Sequence, residues 1–342
     1  MNRLAFRIAL FITLSLVFQI LPSPAQEMQQ EKQKTEDEPV KLRTTLVQVP
    51  VIVKDEGERY LTNLKKEDFK LYENGRLQEI TFFGTTEIPF NVALLIDSSG
   101  STTEQLSQIK ASALAFVENL RPADKVMIVE FNDSVGILCE LTNNKETLRS
   151  AISRIQPGEY TQVYEAVYTA IWERLHDIEG RKAVILFSDG IDNASSEIDE
   201  EDTLAAIAES EDVLVYPIRY STRPDVERKL ERRYSNPAAS LSKTAPASLE
   251  EARRELDKTY RQADQYLFEL ARLSGGVVER ADELTDLQAA FARIADELRK
   301  QYLLGYYPPD DKSDEDRRIQ VRVSRPGAKV RARPGYKPAE QR

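Results

Sequence analysis

Three side chains at alternate positions, Asp97, Ser99 and Ser101, sit in the stretch NVALLIDSSGS at residues 91–101. They offer one anionic oxygen and two neutral hydroxyl oxygens on a tight turn. Gly100 within it tolerates backbone angles that other residues resist. An all-oxygen set suits a hard divalent cation such as Mg2+, not zinc or copper. The same residues have a plainer use, because Asp and Ser are common helix caps. Apolar residues at helical spacing (Leu106, Ile109, Ala113, Phe116, Leu120) follow directly. Alone, D-x-S-x-S does not decide between capping and metal binding.

Two later stretches add oxygens of the same kind. Thr161 closes Gly158-Glu159-Tyr160-Thr161, just before apolar residues at Val163, Val167, Ile171 and Leu175. It either caps that helix or supplies a third hydroxyl. Ala183 to Phe187 reads as a buried strand ending in Ser188-Asp189-Gly190, which makes Asp189 a second carboxylate. In this order, Asp97, Ser99, Ser101, Thr161 and Asp189 resemble the metal-ion-dependent adhesion site of von Willebrand factor A domains. The resemblance implies that the hydroxyls contact the ion and that the aspartates act directly or through water. It also implies a site one ligand short, completed by an acidic residue of a partner. The ion would be Mg2+, or Mn2+ or Ca2+. Asp192 and Asn193 read as turn-shaping residues.

The elements that must position these residues alternate in type. Val92 to Ile96, Val126 to Phe131, Ala183 to Phe187 and Val213 to Ile218 are apolar runs of strand length. Val135 to Leu141 reads as a short antiparallel neighbour. Leu148 to Ile155 reads as a brief helix. Gly275-Gly276-Val277-Val278 turns into a last strand, and Leu287, Phe291, Ile294 and Leu298 mark a final helix. This predicts an α/β fold with a doubly wound, mainly parallel sheet over residues 90–302. Ligands bind at the carboxyl ends of strands in such sheets. A densely charged insertion, 221–266, leaves that same edge. Residues 250–270 suit a helix and 223–248 read as mobile. It is either a surface insertion or a shield that touches the metal or its ligand.

The chain has 342 residues, 41% hydrophobic and 30% charged, as expected of a water-soluble protein with one large domain and attachments. One cysteine, Cys139, gives no intrachain disulfide, and its alternating context reads as a small buried hydrophobe. One histidine, His176, makes a zinc site improbable. Arg3 and Arg7 precede a 14-residue, largely apolar run, Ile8 to Leu21, followed by Ser23-Pro24-Ala25. That is the layout of a signal peptide over 1–25, which implies a secreted or periplasmic protein. The run is short for a membrane span, which needs about 20 residues, so no stable span is expected after cleavage. Cleavage removes two arginines and no acid, taking the net charge from −10 to −12. That acidity argues against nucleic acid as a partner.

Residues 26–40 are polar and read as a disordered spacer. Residues 41–88 read as a small β module: Leu46 to Lys54 alternates, with Pro50 marking an edge strand. Asn74-Gly75 joins two strand-like runs, residues 69–72 and 77–82, as a hairpin. In 303–342, Ile319, Val321 and Val323, then Ala328, Val330 and Ala332, read as a second hairpin. Residues 317–333 hold seven basic side chains and no acid, read as a solvated strand face that charge protects from edge pairing. The two hairpins should form one sandwich-like module, since neither buries much surface alone. Val53-Lys54-Asp55, Leu64 with Glu67-Asp68-Phe69, Glu73-Asn74-Gly75 and Gln78-Glu79-Ile80 resemble the leader of a bacterial, Acidobacteria-type group of secreted A-domain proteins. Leu303 to Pro308 and Arg333-Pro334-Gly335-Tyr336 resemble its tail.

These features lead to an expected metal-dependent protein-binding module, not an enzyme, whose protein ligand supplies Asp or Glu to the ion. The alternatives are a metal-assisted hydrolase and a scaffold whose ion only stabilises loops. Hydrolysis usually needs further acidic ligands or a second ion, whereas this set is mostly neutral hydroxyls.

Overall fold

The computed structural model describes residues 46–85, 88–235, 246–281, 284–309 and 316–338. The expected signal peptide, the spacer and residues 236–245 of the insertion lie outside them. In chain order the strands are β1 (Val47–Lys54), β2 (Phe69–Glu73), β3 (Arg76–Gln78), β4 (Phe82–Gly84), β5 (Phe90–Asp97), β6 (Lys125–Phe131) and β7 (Val135–Thr142). They continue as β8 (Arg181–Ser188), β9 (Val213–Tyr220), β10 (Glu279–Ala281), β11 (Tyr302–Tyr306), β12 (Arg317–Val323), β13 (Lys329–Ala332) and β14 (Gly335–Tyr336). The helices are α1 (Leu106–Glu118), α2 (Lys145–Arg154), α3 (Val163–Tyr168), α4 (Glu200–Glu209), α5 (Arg223–Ser235), α6 (Leu249–Ser274) and α7 (Leu284–Arg299). A wide π turn, Thr169–Leu175, extends α3.

The central sheet has six strands in the order β10-β9-β8-β5-β6-β7. All are parallel except the edge strand β7, which runs antiparallel to β6. Alternate residues of a strand face opposite sides, and β5 is apolar on both. Val92, Leu94 and Ile96 join one core with α1, α2 and α7. Ala93 and Leu95 join the other with α3, α4 and α6. This is the doubly wound arrangement that the unbroken apolar runs imply. The last strand is β10, with 275–278 leading into it as expected.

The flanking module is a sandwich of two four-stranded antiparallel sheets, ordered β13-β1-β11-β4 and β14-β12-β2-β3. One core of Val47, Val49, Val51, Phe69, Leu71, Tyr302, Leu304 and Ile319 lies between them. Three expectations are corrected here. Residues 77–82 are not one strand: β3 pairs with β2, while β4 belongs to the opposite sheet. The expected C-terminal hairpin is also divided, since β12 pairs with β2 and β13 with β1. Each strand finds a longer ladder with a distant partner than with its neighbour in sequence. Lastly, β1 is an interior strand. It pairs with β11 over Val47–Val51 and with β13 over Val51–Lys54, so Pro50, which has no N–H to give, lies where only one side is paired.

The basic stripe is not simply a solvated face either. Arg317 is buried against Glu73 at 2.9 Å, and Glu73 also accepts the Tyr336 hydroxyl (3.2 Å) and that of Tyr306. Arg331 pairs with Glu297. Arg333 is 1% exposed. It donates to the carbonyls of Ile207 and Ala208 (3.2 Å each), and of Ser210, at the end of α4. A cation there satisfies carbonyls that a helix end leaves open and complements the helix dipole. Arg318, Arg322 and Lys329 remain exposed.

Replacing Arg333 by Met keeps the apolar stem and strips these buried carbonyls of their donor. The substitution should cost about 2–4 kcal/mol. Urea unfolding checks this, and an unchanged midpoint would exclude Arg333 as the tie between tail and α4.

Candidate metal centre

Asp97 ends β5, and Asp189 follows the last residue of β8. The two strands are parallel neighbours, with Ile96 opposite Phe187, so both carboxylates stand at the carboxyl edge of the sheet. They are almost sealed, at 0% and 5% exposure. Asp97 Oδ1 accepts the Ser99 N–H at 3.0 Å, and Oδ2 accepts the Ser188 hydroxyl at 2.9 Å. Asp189 Oδ1 accepts the Ile191 N–H at 3.1 Å, and Oδ2 accepts the Thr222 hydroxyl. The hydroxyls of Ser99 and Ser101 are 3.0 Å apart.

Capping is not what the first cluster does. α1 starts only at Leu106, with Gln105 at its N-cap and no side-chain cap. The turn before it is tied instead by Thr102, whose hydroxyl reaches the carbonyls of Asp97 (3.2 Å) and Ser99 (3.0 Å). Gly100 suits its place for a different reason from the expected one. It is not among the residues of positive φ. A Cβ there would instead meet the Glu159 carbonyl oxygen at 3.2 Å, so the 158–161 loop presses on the Ser99–Ser101 turn.

Thr161 does not cap α3, whose N-cap is Gln162. Its N–H donates to Asn193 Oδ1 at 2.8 Å, and its carbonyl accepts the N–H groups of Asn193 and Ala194 at 3.1 Å. Gly158 N–H reaches the Ser98 carbonyl at 2.8 Å. Asp133, after β6, accepts the N–H groups of Glu159 (2.9 Å) and Tyr160 (2.7 Å) through one oxygen. Asp192 shapes its own turn by accepting from Ala194 and Ser195. It also takes the Tyr164 N–H at the start of α3 (3.1 Å). The Ser99–Ser101 turn, the 158–161 loop and the 188–193 turn are thereby locked into one edge. Thr161 enters that edge through backbone bonds.

Burial first, and then the charge of Asp189, push the Asp97 carboxyl up to about 7. Burial also raises Asp189. The charge of one carboxylate makes the other harder to ionise, and a divalent cation held by these residues would relieve both. The surrounding oxygens are hydroxyls: among the described residues, no group of three or more His, Cys, Asp or Glu side chains is placed to hold a metal. Carboxylate and hydroxyl oxygens are the donors a hard cation takes.

Sequence reading missed four contributors. Ser188 stood beside Asp189 and Asp133 in the turn after the Val126 to Phe131 run, but nothing in spacing gave them a task. Thr222 and Tyr260 belong to the charged insertion. Its expected mobile stretch begins instead with the helix α5, and α6 covers and exceeds the expected helix.

Residues 91–255 match the family model of the von Willebrand factor type A domain, and the chain carries a domain of that family. A curated relative, uncharacterized protein sll0103 of Synechocystis sp., is 28% identical over 107 residues, 30% of this chain and 26% of that protein. The chain thus matches about a quarter of that relative's length. Among solved structures, proximal thread matrix protein 1 from the mussel byssus is similar, with a TM-score of 0.45 and 13% identity over 72% of this chain and 50% of that one. The same protein has been solved with a zinc-occupied MIDAS motif (TM-score 0.42, 16% identity, 64% of this chain and 47% of that one). A von Willebrand factor type A protein from Catenulispora acidiphila gives a TM-score of 0.45 and 10% identity over 80% and 74% of the two chains.

Asp133→Ala should loosen the 158–161 loop without touching either buried carboxylate. Amide exchange at Glu159 and Tyr160 is expected to quicken about tenfold or more, the worth of a hydrogen bond to a charged acceptor. Exchange at the wild-type rate would show that other contacts hold the loop.

Proposed function

We propose that this chain is a metal-dependent protein-binding module. Asp97, Ser99, Ser101, Thr161 and Asp189 would hold Mg2+, Mn2+ or Ca2+, and a partner Asp or Glu would complete the shell. The observation that carries this reading is the pair of buried carboxylates at one sheet edge, beside two hydroxyls 3.0 Å apart. A cation held mostly by neutral oxygens keeps much of its charge and favours an anionic ligand over generating hydroxide. The partner's carboxylate is that ligand.

Binding suits these groups better than hydrolysis. The Ser99 hydroxyl bonds Ser101 rather than a base. His176, the one histidine, lies at the amino end of β8, where Lys182 Nζ donates to its carbonyl at 3.1 Å. A hydrolase is thus the weaker reading, and loss of partner capture with chelator would separate binding from a scaffold. Secretion or a periplasmic location rests on residues 1–25. No described helix is long and apolar enough to cross a membrane.

Calorimetry of the full chain with Mg2+ and Mn2+ tests this. Heat in the wild type that disappears in Asp97→Ala and in Asp189→Ala is the expected result, and chelator should then abolish partner capture. No heat at millimolar metal would remove the proposal's main support. Metal must also displace the proton that Asp97 holds below about pH 7. Affinity should therefore fall on acidification, by up to about tenfold per pH unit below that point. A flat profile between pH 8 and 5 would mean that Asp97 is not a ligand.

A further inference from the structure

The charged insertion reaches the metal edge through two hydroxyls. Thr222 lies just beyond β9, and its Oγ1 donates to Asp189 Oδ2. The same Oγ1 is 2.7 Å from the hydroxyl of Tyr260, on α6. A threonine hydroxyl has a single proton. With that proton on Asp189, Tyr260 must be the donor in the second bond. The bonds therefore run one way: Tyr260 O–H to Thr222 Oγ1, and Thr222 O–H to the carboxylate. Both residues are buried, at 1% and 3% exposure, and bonds chained away from water strengthen one another.

The helix that brings Tyr260 is itself fixed to this edge. Gly190, next to Asp189, has φ +80°, and a Cβ there would lie 2.8 Å from Leu267 Cγ. α6 thus rests directly on the turn after Asp189. Arg219 of β9 pairs with Asp264 of α6 through two guanidinium nitrogens, Nε and Nη2, the latter at 3.0 Å. At the far end, the Ser274 hydroxyl accepts the Val215 N–H at 2.9 Å. Tyr260 therefore stands on a helix tied to β9, not on a loose excursion.

We infer that Thr222 and Tyr260 are positioning residues of the metal site, aiming the Asp189 carboxylate through a directed pair of hydrogen bonds. This rests on the metal reading above and gives the insertion a part in it. Oxygens that ligate metals are commonly aimed by such outer partners, and losing one costs about 10–100-fold in affinity. Thr222 supplies the bond to Asp189. Tyr260 fixes the direction in which Thr222 points.

The test is Mn2+ calorimetry on the full chain, comparing wild type with Thr222→Val, Thr222→Ser and Tyr260→Phe. Valine matches the shape of threonine but has no hydroxyl, and should weaken metal about 10–100-fold. Serine keeps the hydroxyl and should restore most of the affinity, which a purely packing role for the γ-methyl would not predict. Phenylalanine removes one oxygen and should weaken binding by a smaller factor. Amide exchange adds a readout of structure: metal should protect the Asp189–Ile191 turn in the wild type and less so in Thr222→Val. Were the valine variant not to fold, the Tyr260→Phe titration would decide. Wild-type affinity in both Thr222→Val and Tyr260→Phe would overturn this inference alone. A wild type without metal heat would overturn it together with the metal reading.

Discussion

Two carboxylates held beside each other out of water constrain everything around them. Asp97 and Asp189 arrive at the same edge because β5 and β8 are parallel neighbours, and the charge of one raises the cost of ionising the other. Such a pair persists only if its oxygens are supplied with donors. The direct donors carry no net charge: the Ser99 and Ile191 N–H groups and the Ser188 and Thr222 hydroxyls. The Arg219 guanidinium also favours the Asp189 carboxylate through its charge, but its hydrogen bonds go to Asp264. Among the described residues, no lysine or arginine forms a salt bridge to either carboxylate, which leaves their oxygens to neutral donors.

The loops that complete the edge are held to one another more than to the sheet. Asn193 holds Thr161, Asp133 holds the two amides before it, and Gly100 gives the space in which the 158–161 loop meets the first turn. Backbone amides thus serve as the mortar between these loops. The flanking sandwich follows an opposite economy. Its arginines 317, 331 and 333 are consumed inside, by Glu73, by Glu297 and by the carbonyls ending α4. Part of the charge on the tail is therefore structural, while Arg318, Arg322 and Lys329 stay at the surface.

Local pattern was a sound guide wherever one side chain period governed burial. The runs 92–96 and 183–187 are apolar on every residue, which only a strand covered on both faces requires, and both are such strands. The spacing of Leu287, Phe291, Ile294 and Leu298 became one face of α7. Pattern failed where pairing partners had to be chosen. Residues 328–332 alternate as a strand should, but alternation does not say whether the ladder forms with β12 or with β1. Nor does it show that Pro50 falls where one side of an interior strand is unpaired.

By itself the sequence determined the α/β architecture, and it placed Asp97 and Asp189 at one edge because parallel strand ends must converge there; Ser99, Ser101 and Thr161 joined them as expected ligands through the resemblance in their order. Only the tertiary structure decided that Asp97 and Ser99 do not cap α1, since that turned on where the first helical turn begins. Only it could add Thr222 and Tyr260, separated by 38 positions and lying in a stretch whose composition reads as charged surface. A hydrogen bond between side chains leaves no period in a sequence. It exists because two elements pack at a particular distance, and that distance is set by the Gly190–Leu267 contact and the Arg219–Asp264 pair.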